Sequence, residues 1–120
     1  LNQNTEAEIY CIVRNLDKRN PKKILKDKFS KQKITIRDWN RIHFIEGDIS
    51  KPELGLSNPD WEFLTGKVDS VFHFAAEVNL ILPFEKLKKV NIDSTKEILR
   101  FCLTKSKKYL HYASTLSVFV

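Results

Sequence analysis

The six residues EIYCIV (8–13) set the fold class. This run is short, β-branched and aromatic, and its apolar residues follow one another instead of alternating with polar ones. Both faces of such a strand need cover, as in a parallel sheet with helices on either side. Three further runs read the same way: RIHFI (41–45), SVFHFA (70–75) and YLHYA (109–113). The spacers between them are long enough for helices, so the order is β-α-β-α-β-α-β. Alternation of this kind implies right-handed crossovers and an α/β, doubly wound parallel sheet.

Each spacer carries helix signals. In the first, Ile24, Leu25 and Phe29 fall close to one stripe, leaving Lys22, Lys23, Lys26 and Lys28 on a solvated face. In the second, Ser57 and Asn58 are both candidates to cap a helix that leads into Trp61, Phe63 and Leu64. In the third, Val90, Thr95, Ile98, Leu99, Cys102 and Leu103 make an amphipathic face over a long helix.

A length of 120 residues fits one domain, residues 1–120. No run approaches the roughly 18 apolar residues of a membrane span, so no membrane partner is expected. The formal charge of +6 raises the question of nucleic acid. Its excess is concentrated between Asp17 and Arg37, without interleaved aromatics or a glycine-rich RNA motif, and no nucleic-acid partner is expected. Cys11 and Cys102 lack the paired spacing of a zinc or redox site, which suits a reduced cytoplasmic setting. His43, His73 and His111 sit alone in strands, where packing accounts for them and no metal is expected.

Doubly wound sheets bind ligands at the carboxyl ends of their strands. Standing there in order are Arg14, then Gly47-Asp48-Ile49, then Ala75-Ala76-Glu77, and finally Ser114-Thr115. A guanidinium can pair with a phosphate, and a carboxylate can accept a hydrogen bond from an adenine amine. Small residues admit a bulky ligand close to the backbone, and a hydroxyl can orient a carbonyl. Each residue alone also reads as an ordinary turn or packing residue, and the succession over four strand ends carries the site.

The segments AEIYCIVR (7–14), IHFIEGDISKPELGLSNPDWEFL (42–64), VDSVFHFAAEVNLILPFEKLKKVNIDSTKEILRF (68–101) and LHYASTLSVF (110–119) resemble the thioester reductase domain of non-ribosomal peptide synthetases, polyketide synthases, aminoadipate reductases and carboxylic acid reductases. That family belongs to the extended short-chain dehydrogenases/reductases. GDISKPELGLS and VNLILPFEKL separate it from sugar-nucleotide epimerases. The resemblance implies that Arg14 grips the 2′-phosphate of NADPH, that Asp48 and Ile49 border the adenine, and that Ala75 and Ala76 flank the nicotinamide-side ribose. Asn91 matches the family's Asn at the start of its long helix, and Thr115 matches its catalytic Ser/Thr. The family's Asn-x-x-Gly-Thr stands here with Ser94 in place of Gly. The implied activity is NADPH-dependent release of an acyl or peptidyl thioester from a carrier protein, as aldehyde or alcohol. Related alternatives are a fatty acyl-CoA reductase, a sugar-nucleotide epimerase or a non-catalytic Rossmann-like interaction module.

Two family features are missing. Gly47, Gly55 and Gly66 cannot form the glycine-rich turn that cradles a pyrophosphate, and no Tyr has Lys four residues later. With no Met and with Leu1 first, the chain is expected to be an internal piece holding strands 2 to 5 of a partial Rossmann fold, inactive alone and impaired in NADPH binding. Its first and third runs would each face an empty central slot. Direct pairing of those two runs, or self-association through their exposed edges, is expected to close it.

Overall fold

Four strands form where the apolar runs stand, and they pair in parallel. The computed structural model describes residues 6–18, 20–76, 81 and 83–114. Within them strand β1 (Ile9–Val13) pairs with β2 (Ile42–Glu46), and β3 (Ser70–His73) with β4 (Tyr109–Tyr112). Val13 lies opposite Glu46 and His73 opposite Tyr112, so the carboxyl ends within each pair coincide. Parallel partners require a crossover, and helices lie between the members of each pair. The expected α/β partial Rossmann architecture is thereby met.

Among the described residues the strands form two two-stranded sheets, β1 with β2 and β3 with β4. Two strand bounds need correction. Strand β2 starts one residue later than expected and runs on through Glu46. The side chain of Asp38 accepts the Asn40 amide at 2.8 Å and starts a 3-10 turn, Trp39–Arg41, that takes Arg41 out of the strand. Strand β3 ends at His73, where its last carbonyl receives the Ala113 amide at 3.2 Å, and Phe74 and Ala75 lie beyond it.

The chain divides into two compact units between Asp48 and Ile49. In the first, helix α1 (Pro21–Lys31) starts where the Asn20 side chain accepts the Lys23 amide at 3.0 Å with Pro21 at the first turn. Leu25 and Phe29 are half-buried on its inner stripe, while Ile24 stays 43% exposed. The lysines of the outer face are exposed, as expected, and Lys22 and Lys26 also lie 5.9 and 5.4 Å from the centre of the Trp39 ring. His43 stacks on Tyr10 at 4.9 Å and pairs with Glu8 at 2.5 Å, the packing role expected of a strand histidine. All five residues of β1 are half-buried.

The second unit holds the buried apolar core: Leu54, Leu56, Trp61, Leu64, Ile98, Phe101 and Cys102. Ser57, not Asn58, caps helix α2 (Asn58–Lys67), its hydroxyl accepting the Asp60 amide. Trp61 meets Phe101 edge to face at 5.4 Å. Helix α3 (Phe84–Lys88) passes through a π turn (Lys89–Asp93) into α4 (Ser94–Leu103). The buried stripe of α4 is Ser94, Ile98, Phe101 and Cys102, at spacings of four, three and one. Leu99 and Leu103, expected on that face, are 47% and 70% exposed because they lie one step round the helix from it.

Candidate functional site

In the first unit the strand ends carry Arg14 and Asp48. The Gly47 amide donates to the Val13 carbonyl at 3.0 Å, extending the β1–β2 ladder one step beyond β2. Arg14 follows at once in a bend, exposed and without an ion pair among the described residues. Asn15 takes a left-handed conformation, φ 56°. Its amide donates to Glu46 Oε1 at 2.9 Å, and the Leu16 amide donates to Glu46 Oε2 at 2.5 Å. A short turn closes below, the Lys18 amide donating to the Asn15 carbonyl at 3.1 Å. A guanidinium is thus displayed from a backbone anchored on both sides. Gly47 is buried and Asp48 half-buried on the neighbouring strand end. Such a donor set fits the adenosine end of a phosphorylated coenzyme: an available cation, a carboxylate acceptor, and a residue without a side chain between strand and acceptor. A concavity of about 490 Å³ in the same unit, lined by Lys26, Phe29, Lys33 and Trp39 among others, contains none of the candidate residues.

In the second unit Ile49 is half-buried and precedes a left-handed turn at Pro52–Gly55. Glu53, Leu54 and Gly55 have φ of 52°, 58° and 61° in succession. Glu97 Oε2 accepts the Glu53 amide at 2.8 Å, Arg100 reaches Glu53 Oε1 at 3.3 Å, and Leu54 is 1% exposed. Ala75 and Ala76 follow β3 and are exposed. Asn91 is half-buried inside the π turn, a helix distortion frequent at functional sites. Its carbonyl accepts the Thr95 hydroxyl at 2.8 Å, and the Ser94 hydroxyl donates to the Val90 carbonyl. Ser94 is fully buried, so the residue standing in for the family's Gly is accommodated with its polar atom satisfied. Thr115 and Glu77 lie outside the described residues.

Arg14 and Asp48 therefore share one unit and one end of a paired sheet, while Ile49, Ala75, Ala76 and Asn91 belong to the other. Burial pushes the His73 imidazole below its ordinary pKa and the Cys11 thiol above its own. Burial also raises the Cys102 thiol, opposed by the nearby Lys108 ammonium, and lowers Lys108, whose Nζ donates to the carbonyls of Thr104 and Ser106 at 2.8 Å each. Sequence reasoning missed two carboxylates, Glu46 and Glu97. The signal for Glu46 was its place directly before Gly47, hidden by ending the strand at Ile45. Glu97 reads as an exposed helix residue, and only packing shows what it holds.

A family model described as male sterility protein, an NAD-binding domain, matches residues 1–120. A linear gramicidin synthase of Brevibacillus parabrevis is 34% identical over 122 residues, covering 98% of this chain and 2% of that protein. The carboxylic acid reductase of Segniliparus rugosus is 38% identical over 79 residues, covering 66% of this chain and 7% of that protein. The terminal R domain from the myxalamid PKS-NRPS biosynthetic pathway superposes with a TM-score of 0.78 at 34% identity, over 96% of this chain and 30% of that one. A thiolation-reductase di-domain from an archaeal non-ribosomal peptide synthetase does so with a TM-score of 0.72 at 26% identity, over 96% and 24%. The chain thus spans a small part of each relative. It belongs to the NAD-binding male sterility family, among the reductase domains of non-ribosomal peptide synthetases, polyketide synthases and carboxylic acid reductases.

Proposed function

We propose that this chain is part of an NADPH-dependent thioester reductase that releases an acyl or peptidyl chain from a carrier protein as aldehyde or alcohol. The observation that carries it is Arg14: an exposed guanidinium on an anchored strand end, without an ion pair among the described residues, in a chain whose whole length matches a reductase family. NADPH supplies the hydride when bound. Arg14 would hold its 2′-phosphate, Asp48 and Ile49 would border the adenine, Ala75 and Ala76 would flank the nicotinamide-side ribose, and Asn91 would belong to the same cofactor-binding set. Thr115 donates a hydrogen bond to the reacting carbonyl as negative charge grows on its oxygen.

Residues 1–120 are read as one NAD(P)-binding domain that contributes part of this site, supported by a single family match across both units. With no glycine-rich turn and no Tyr followed by Lys at the fourth position, these residues alone are expected to bind NADPH weakly and to give no turnover. The carrier-protein partner is supported by the archaeal relative, whose thiolation and reductase domains are joined. A cytoplasmic setting suits the two free thiols, Cys11 and Cys102. No helix among the described residues is long and apolar enough to cross a membrane.

The test is NADPH oxidation by the reductase containing this chain, offered an acyl group as a carrier-protein phosphopantetheine thioester, as the coenzyme A thioester, and as the free acid. Aldehyde or alcohol formed from the carrier thioester at the highest kcat/KM supports the proposal. Preference for the coenzyme A thioester would make it a fatty acyl-CoA reductase, and absence of oxidation with every thioester would refute reductive release.

A further inference from the structure

We propose that Glu46 is a positioning residue that fixes Arg14 for the 2′-phosphate and so sets the preference for NADPH over NADH. The inference deepens, and rests on, the reading of Arg14 as the phosphate ligand. Glu46 is the last residue of β2 and lies in register with Val13, the residue before Arg14. Its two carboxylate oxygens are each taken by a separate amide of the following loop, Asn15 at 2.9 Å and Leu16 at 2.5 Å. Two consecutive amides converging on one anion form a charge-assisted pair of hydrogen bonds, and the left-handed Asn15 gives the backbone the concavity this needs. On the other side the Val13 carbonyl is held by the Gly47 amide at 3.0 Å. Arg14 is bracketed by two backbone anchors, so binding a phosphate needs to order only its side chain, not its loop.

The charge arrangement supports the same role. A free carboxylate beside a phosphate ligand would compete for the guanidinium. Here both Glu46 oxygens are committed to amides, and Arg14 makes no ion pair among the described residues. Glu46 thus organises the loop while leaving the cation available. A coenzyme without the 2′-phosphate does not use Arg14 and gains nothing from this device.

The test is a double-mutant cycle in the reductase containing this chain, with KM and kcat measured for both coenzymes. Glu46→Ala is expected to raise KM for NADPH roughly tenfold, the scale of a charge-assisted hydrogen bond, and to leave kcat and KM for NADH unchanged. Glu46→Gln, which keeps one acceptor oxygen, is expected to fall between. In an Arg14→Ala background Glu46→Ala is expected to add nothing. Equal effects on both coenzymes, additive effects in the cycle, or a lowered KM for NADPH would each overturn the inference. If the protein reduces no thioester, the functional reading falls, and calorimetry with adenosine 2′,5′-bisphosphate against adenosine 5′-monophosphate decides the role of Glu46. Weakening of the bisphosphate alone supports it, and equal or no weakening overturns it.

Discussion

The turn at Pro52–Gly55 holds two non-glycine residues in left-handed conformation, and its energetics lead to an inverted ranking of substitutions. Left-handed backbone costs about 1–2 kcal/mol for a residue with a Cβ, and both Glu53 and Leu54 bear that cost. Leu54, 1% exposed, offsets it by burial, since truncating a buried leucine to alanine costs about 2–5 kcal/mol. At an ordinary position glycine would be worse than alanine by about 0.5–1 kcal/mol, because it loses more chain entropy on folding. At position 54 glycine also relieves the left-handed cost. Leu54→Gly is therefore expected to be milder than Leu54→Ala by about 0.5–1 kcal/mol, both remaining destabilised. Glu53→Gly keeps the amide that Glu97 accepts and loses only the partly exposed pair with Arg100, worth about 0–1 kcal/mol, so it should lie within about 1 kcal/mol of wild type. Urea unfolding midpoints at constant m read the series directly. Leu54→Gly proving less stable than Leu54→Ala would show that the turn stores no such strain.

Other substitutions read other parts of the molecule. Gly66 lies in α2, and a methyl group added to it would meet only the Lys105 Cδ, 3.8 Å away, so Gly66→Ala should stabilise by about 0.5–1 kcal/mol in the same urea assay. Ser57→Ala removes the α2 cap and should cost about 1 kcal/mol, whereas Asn58→Ala should cost less, and the reverse order would misplace the cap. His73 is buried with its pKa depressed, so the folded chain favours the neutral ring. As pH falls through the unfolded value of about 6.5, the unfolded chain binds a proton that the folded chain refuses, and stability drops until the folded pKa is passed. His73→Gln should flatten that decline between about pH 7.5 and 5.5, and an unchanged slope would assign it to other groups. If the proposed function holds, Arg14→Glu should raise KM for NADPH by at least about tenfold and spare NADH, in steady-state kinetics with both coenzymes.

How much was legible from residues alone follows the range of each interaction. Residues 9–13, 42–45, 70–73 and 109–112 became strands because runs of β-branched and aromatic side chains suit an extended, covered backbone whatever their neighbours. The helix start at Asn58 was legible because Ser57 and Asp60 are three positions apart, a local hydrogen-bond geometry. The choice of Phe101 over Leu99 and Leu103 as a core residue was not, since all three are apolar and only the place of Trp61 selects among them. Arg14, Asp48, Ala75 and Ala76 were legible as candidates because strand-end position follows from strand prediction.

Local patterning accounts for the alternating α/β order, the parallel pairing that follows from it, and which residues come to the strand ends. These depend on hydrophobic runs and turn chemistry within a few residues of each position. Long-range packing accounts for the places where a local preference is overruled: left-handed Glu53 and Leu54, and Glu46 binding the loop that follows Arg14. Each conformation is unfavourable or undetermined by its own neighbours. It persists because a partner about 30 to 44 residues away, or a buried side chain, supplies the compensating free energy.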